Sequence, residues 1–262
     1  MAGVWIEDDF RWGAARNDAR ASVEIMVGDK SGSAQERCAA PCRQCVLAAQ
    51  CPAGLIPNGS EGAAQRQATP RSYRRRALLQ REGERNGLLR FVKSGLLGIR
   101  QIGLDGVERA IAVIGPGHLI GQPMMQGVTV LVTAEALTSV SVCEFPTASL
   151  QALQQSASPD VACLGRYMRQ SIVTLAAWSH LMRMPSLDQR MATALRLVAS
   201  AQPPSATLLP SQSVLAELLG VTRESVNRLW RDFEQRGLVR RGEGQLVHLN
   251  LGALERLSRQ SV

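Results

Sequence analysis

Between residues 70 and 150 the apolar residues come in short runs broken by turn formers. Leu88-Leu89-Arg90-Phe91-Val92 stops at Ser94-Gly95, Leu97 to Ile102 at Leu104-Asp105-Gly106, and Ala110 to Ile114 at Gly115-Pro116-Gly117. Ile120-Gly121, Val128 to Thr133 and Ser139 to Phe145 come next. Strands this short, spaced about ten residues apart with Gly or Asp-Gly turns, predict a compact antiparallel roll or barrel. The period then changes. Val161, Leu164, Met168, Ile172, Leu175, Trp178 and Met182 recur every three or four residues, one apolar stripe on a long helix that Pro185 ends. Such a stripe serves equally as a cover for the roll or as a dimer seam. Read as a seam, its contacts are Leu164, Met168, Ile172, Leu175, Trp178 and Met182. A second helix, from about 187 to 200, stops before Pro203-Pro204, which reads as a boundary.

The segment Pro210 to Trp230 has the layout of a helix–turn–helix. Ser211 is placed to cap the first helix and Thr222 the second, while Gly220 supplies a turn that calls for positive φ. Val226, Leu229, Trp230 and Phe233 mark the inward face of the second helix. That leaves Arg223, Glu224, Asn227 and Arg228 outward at its start, where side chains reach base edges in a major groove. Arginine pairs bidentately with guanine, glutamate accepts from cytosine N4, and asparagine reads adenine. Thr222 and Ser213 stand beside this face. After Gly237, two strands around a glycine-containing turn read as a wing that sets Arg240 and Arg241 against phosphate. Six arginines between 223 and 241 against three acids agree with a polyanionic partner.

Charge adds to this picture by its distribution. Of a net +8, residues 1–70 carry 7 basic and 8 acidic groups, 71–109 carry 10 and 4, 110–165 carry none and 3, and 166–262 carry 13 and 7. The basic C-terminal third points to nucleic acid. With 45% hydrophobic residues the chain is globular. No window is apolar for the roughly 18–20 residues that span a bilayer, and Glu7, Asp8 and Asp9 stand where a secretory signal would be basic. A cytoplasmic protein with no membrane partner is expected, and there clustered cysteines favour metal over disulfides.

The cysteines form such a cluster. Cys42, Cys45 and Cys51 lie in one short run closed by Pro52. Three thiolates are one short of the four that a cubane cluster or a closed zinc site needs, and Cys143 is the best candidate for the fourth. An iron–sulfur cluster, structural zinc and a Cys42/Cys45 thiol switch all remain open on ligand type alone. No Gly-rich phosphate loop, Ser-His-Asp arrangement or second cysteine cluster supports an enzyme, so an iron–sulfur redox enzyme is a remote alternative. His118 and His180 read as packing or surface residues.

These features together resemble the CRP/FNR superfamily of transcription regulators, over roughly residues 38–250. The motifs are Cys38-x3-Cys42-x2-Cys45-x5-Cys51, Pro116-Gly-His-Leu-Ile-Gly121, Val142-Cys143-Glu144-Phe145-Pro146 and Val221-Thr222-Arg223-Glu224-Ser225-Val226-Asn227-Arg228. The cysteines are similar to those of the FNR branch, which senses oxygen. The resemblance implies an α+β fold: an N-terminal antiparallel β-roll of the cyclic-nucleotide-binding kind, a long dimerisation helix and a C-terminal winged helix-turn-helix. The implied layout is a tail at 1–37, a cysteine segment and linker at 38–68, the roll at 69–158, the dimerisation helix at 159–184 and the DNA-binding domain at 185–262. It also implies a [4Fe–4S] cluster on Cys42, Cys45, Cys51 and Cys143, with Cys38 outside the ligand set and Cys163 a core thiol. Partners implied are a second copy of the chain, palindromic double-stranded DNA and RNA polymerase. Cyclic nucleotide is not expected, because no Arg or Lys occurs between Arg109 and Arg166 and Gln122 replaces the glutamate of that branch. Two departures stand out. Asn227 replaces the serine of members that read TTGA-type half-sites, and no acid lies between Asp160 and Asp188 on the long helix. The second departure predicts dimerisation that depends less on the cluster than in FNR.

Overall fold

The computed structural model describes residues 45, 47, 50–52, 68–85, 87–121, 129–147, 161–202, 207–242 and 246–259, with the side chains of 161–164 left aside. Cys38, Cys42, Gln122 and the side chains of Cys163 and Leu164 fall outside this set, as does the whole of 1–37.

Eight strands build the roll as two antiparallel sheets of four. One runs β1 (Thr69–Tyr73), β8 (Val140–Pro146), β3 (Leu88–Ser94) and β6 (Leu119–Ile120). The other runs β2 (Leu78–Gln80), β7 (Thr133–Ala136), β4 (Leu97–Ile102) and β5 (Glu108–Ile114). The expected α+β fold is present. Alternation along β8 sends Val140 and Val142 into the main core with Val92, Leu97, Ala134 and Ala136. Cys143 and Phe145 take the other face, with Leu89 and Phe91.

Two strands form where no apolar run predicts them. β1 and β2 flank the arginine-rich turn at 74–76, and β1 is held by pairing with β8 from Thr69↔Glu144 to Tyr73↔Val140. A cluster beneath it explains the polar residues: Glu144 accepts from Arg90 Nε at 2.8 Å and from the Tyr73 hydroxyl at 2.6 Å, and Arg71 approaches at 3.5 Å. Burial, and then the bond to Glu144, pushes the Tyr73 phenol above its ordinary pKa. One strand is displaced. Of the run expected at Val128 to Thr133, Val128 lies outside the described residues and strand begins at Thr133, because Val130 spends its backbone groups on Gly83 and Glu84 in the loop after β2.

Helix α1 (Val161–Leu181) comes next, then α2 (Leu187–Ser200), which opens with a capping box between Ser186 and Gln189. The Pro203-Pro204 pair does not separate α2 from the helices after it. Met191, Leu195 and Val198 of α2 share a core with Phe233 and with Leu254 of the C-terminal helix α5 (Leu251–Arg259), and Arg196 bonds Ser258 at 2.9 Å. No motif in the sequence marks that last helix. Contacts from β4 and β5 tie the roll to this C-terminal half. Gly115, at the end of β5, lies so near Ala201 that a Cβ there would sit 2.5 Å from its carbonyl oxygen. Arg100 on β4 forks onto Glu217 at 2.9 and 2.6 Å.

Candidate functional site

The helix–turn–helix consists of α3 (Gln212–Leu219) and α4 (Arg223–Gln235). Ser211 Oγ accepts from Val214 N and Thr222 Oγ1 from Ser225 N at 3.2 Å, so both expected caps are made. Gly220 adopts φ 64°, a left-handed turn that a side chain would strain. Val226, Leu229, Trp230 and Phe233 are buried against Leu215, Leu218 and Leu219, fixing which way α4 faces. Arg223, Glu224 and Arg228 are exposed, Asn227 is half-buried beside them, and Ser213 and Thr222 are exposed nearby. Hydrogen bonds from its own backbone N–H and from Thr222 hold the Glu224 carboxyl below its ordinary pKa, so it presents a charged acceptor at the helix start.

The wing is a three-stranded sheet, β10 (Val239–Arg241), β11 (Leu246–Leu249) and β9 (Thr207–Leu208). Arg240 is exposed opposite His248. Arg241 is tied back: its Nε lies 2.9 Å from Glu234 Oε1, which also accepts from Trp230 Nε1 at 2.9 Å. Glu234 thus joins wing and reading helix, a role with no signal in the sequence, where it counts only as an acid within a basic stretch.

At the cysteine site, Cys51 closes a tight turn in which Gln50 N and Cys51 N donate to Leu47 O at 2.9 and 2.8 Å. Cys51 and Cys143 are both buried and belong to one apolar cluster with Leu89, Phe91, Phe145 and Tyr167. Cys45 is half-buried. Cys143 stands opposite Phe91 on β3 and Pro70 on β1. The structure therefore packs two thiols from remote stretches into the same cluster, the donor type that iron–sulfur clusters and zinc prefer. It gathers no group of three or more ligating side chains among the described residues. Tyr167 carries no sequence signal for this site. Its hydroxyl donates to the Gln50 carbonyl, and its ring meets Phe91 edge-on with centroids 6.2 Å apart.

A cavity of about 160 Å³ lies between the roll and α1, lined by Gln80, Ile99, Ile114, His118, Ser171 and Thr174 among others, none of them Arg or Lys. His118 is buried, which pushes its pKa down. Its Nδ1 donates to Gly115 O at 3.0 Å and Nε2 faces Thr174 Oγ1 at 3.3 Å. The seam expected on α1 is divided by the structure. Met168, Ile172, Leu175 and Met182 are exposed, whereas Trp178 turns inward into the core with Leu181. Spacing alone puts Trp178 on the same stripe because a three-and-four repeat admits two adjoining faces.

Residues 189–257 match the Crp-like helix-turn-helix domain and residues 70–157 the cyclic nucleotide-binding domain. The transcriptional activator protein anr of Pseudomonas aeruginosa is 30% identical over 219 residues, 80% of this chain and 88% of that protein. The chain belongs to the CRP/FNR family of transcription regulators. Another relative is the transcriptional activator protein FnrA of Stutzerimonas stutzeri, 28% identical over 217 residues, with 80% of this chain and 88% of that one covered. Among solved structures, FixK2 from Bradyrhizobium japonicum matches with a TM-score of 0.64 at 21% identity, over 74% of this chain and 99% of that one. A CRP/FNR family regulator from Thermus thermophilus gives 0.56 at 20%, over 73% and 98%. As a CRP/FNR member of the FNR type, the protein is a DNA-binding transcription regulator. Among the described residues no helix is long and apolar enough to cross a membrane.

Proposed function

We propose that the protein is an oxygen- or redox-responsive transcription regulator of the cytoplasm, an activator like the relatives named above, that binds two-fold symmetric promoter sites as a homodimer. Cys42, Cys45, Cys51 and Cys143 hold a [4Fe–4S] cluster in this reading. The observation that carries it is the burial of Cys51 with Cys143, 92 positions later, in one cluster of side chains. A chain with no use for joining these thiols has no reason to bring its cysteine loop onto β8. The cluster, when bound, supplies a centre that oxygen can dismantle. The chain's own part is to hold the Cys45–Cys51 loop on the roll, to present Met168, Ile172, Leu175 and Met182 for pairing, and to set two α4 helices about 34 Å apart on DNA. Glu224 and Arg228 read the TGA-like core of each half-site, Asn227 an outer base, and Arg240 meets phosphate, with Arg241, held by Glu234, beside it. RNA polymerase is the expected protein partner. Cyclic nucleotide is left out of this reading because no Arg or Lys occurs between Arg109 and Arg166 to hold its phosphate.

Anaerobic purification and then visible absorption with iron and sulfide assay tests the reading, with Cys143→Ser as the control. Brown protein with acid-labile sulfide, lost in the variant, is expected. Colourless protein with one zinc per chain would instead support the same regulator built on a structural zinc, since the thiol donors suit that ion equally.

A further inference from the structure

We propose that Tyr167 is the positioning residue through which the cysteine loop acts on the dimer seam. This rests on the reading of the cysteines as a cluster site. Tyr167 belongs to α1, yet its hydroxyl donates to the carbonyl of Gln50, the residue before Cys51, across 117 positions of sequence. It is only 4% exposed. Its ring stands edge-on against Phe91, and Phe91 is the cross-strand neighbour of Cys143. One side chain therefore touches a neighbour of each thiol, the residue before Cys51 by a hydrogen bond and the cross-strand partner of Cys143 through a ring. No other helix of the described residues contributes to this cluster.

The same residue sits next to the seam. Along α1, Tyr167, Thr174, Trp178 and Leu181 turn toward the protein, and Met168, Ile172 and Leu175 are exposed, as is Met182 just past its end. The spacings of 7, 11 and 14 and of 4 and 7 define two adjoining stripes of one helix. Ordering the loop fixes Tyr167, and fixing Tyr167 fixes the rotation of α1 that presents Met168 one residue on. Release of the loop removes the bond from Tyr167 to the Gln50 carbonyl and with it a link between the loop and α1. Phenylalanine keeps the ring and loses the bond to Gln50.

Tyr167→Phe is compared with wild type in two states. In metal-free protein, the alkylation rate of Cys51, read by peptide mass, reports how firmly the loop is held. Loss of one buried hydrogen bond should raise it about two- to tenfold, with unchanged thermal unfolding as the check on folding. In anaerobically loaded protein, the dimer dissociation constant is compared with that of the metal-free form. In wild type loading tightens the dimer; in the variant that ratio falls toward one, while iron and sulfide content hold. An unchanged Cys51 rate overturns the tether. A raised rate with a wild-type ratio overturns the transmission. Wild-type protein that takes up no iron or sulfide sinks the cluster reading and the transmission with it, and the alkylation rates still decide whether Tyr167 holds the loop.

Discussion

Leu175→Asp is the sharpest test of the seam. Met168, Ile172, Leu175 and Met182 retain 45, 65, 43 and 45% of their exposure in the single chain. Roughly half of each side chain is therefore left to bury. Complete burial of such a side chain is worth ~1.5–3 kcal/mol, so each contributes about 1 and the eight in a two-fold pair about 8 kcal/mol before costs. Association costs on the order of 4–15 kcal/mol in lost freedom, which leaves the seam near balance and makes any loss from it visible. Across a two-fold axis a residue near the centre meets its own copy. The substitution removes two leucines, about 2 kcal/mol, and opposes two carboxylates that repel by about 2–4 kcal/mol at an effective dielectric constant near 20. Allowing half of the total for relaxation and uptake of a proton, about 3 kcal/mol remains, close to a hundredfold in dissociation constant. Sedimentation equilibrium of metal-free protein over a micromolar concentration series measures it. Wild type should associate without its metal, since the helix carries no acid between Asp160 and Asp188, and the variant should be monomeric. Equal association by the two proteins refutes the seam, and a wild type that stays monomeric throughout refutes association without the metal.

Glu224→Gln and Arg228→Ala should each cost ~1–3 kcal/mol of discrimination at one base pair, read as lost preference in competition between operator variants at fixed salt; Arg240→Ala should instead weaken all sequences alike and shallow the salt dependence. Burial keeps His118 neutral in the fold while it charges in the unfolded chain, so the unfolded state binds the extra proton. Stability should therefore hold above about pH 6.5 and fall below it, and His118→Gln should flatten that fall in urea midpoints; an identical slope in both proteins counts against it. Glu217→Gln should cost about 1–3 kcal/mol, because Glu217 takes both Arg100 nitrogens and the Ala110 N–H at 2.7 Å; unfolding that separates into two transitions would show that this contact couples the roll to the reading head.

Local features are the legible ones. The caps at Ser211 and Thr222, the left-handed Gly220 and the inward face of α4 each depend on residues within a few positions of one another, and all appear as expected. The span of α2 agrees with its pattern for the same reason. Features decided by distant partners are lost or displaced. β1 exists because β8 pairs with it and because Glu144 neutralises Arg90 beneath it, so a largely polar stretch with no apolar alternation becomes a strand. Val130 leaves the strand because the loop after β2 takes its backbone groups. Trp178 and Met168 share a periodicity and differ only in which side the roll occupies. At the cysteine site, spacing nominates Cys51 and Cys143, but Tyr167 has no motif and is defined only by what it reaches.

These distant contacts meet on α1. Its start holds the cysteine loop through Tyr167, its middle faces His118 through Thr174, and its core face anchors it by Trp178 and Leu181. Just beyond its end Met182 lies against the helix–turn–helix itself: a Cβ on Gly220 would sit 3.0 Å from Met182 Cε. Gly220 is required for its left-handed turn, and a Cβ there would also crowd the flexible end of Met182. A change that rotates or shifts α1 is felt at both ends, because a packed helix moves as a body and its contacts have few intermediate positions. Arg100 and Glu217 hold the roll to α3 from the other side, so the reading head is gripped at two points. With both grips in place, the orientation of α3 and α4 is tied to α1 and to the roll together.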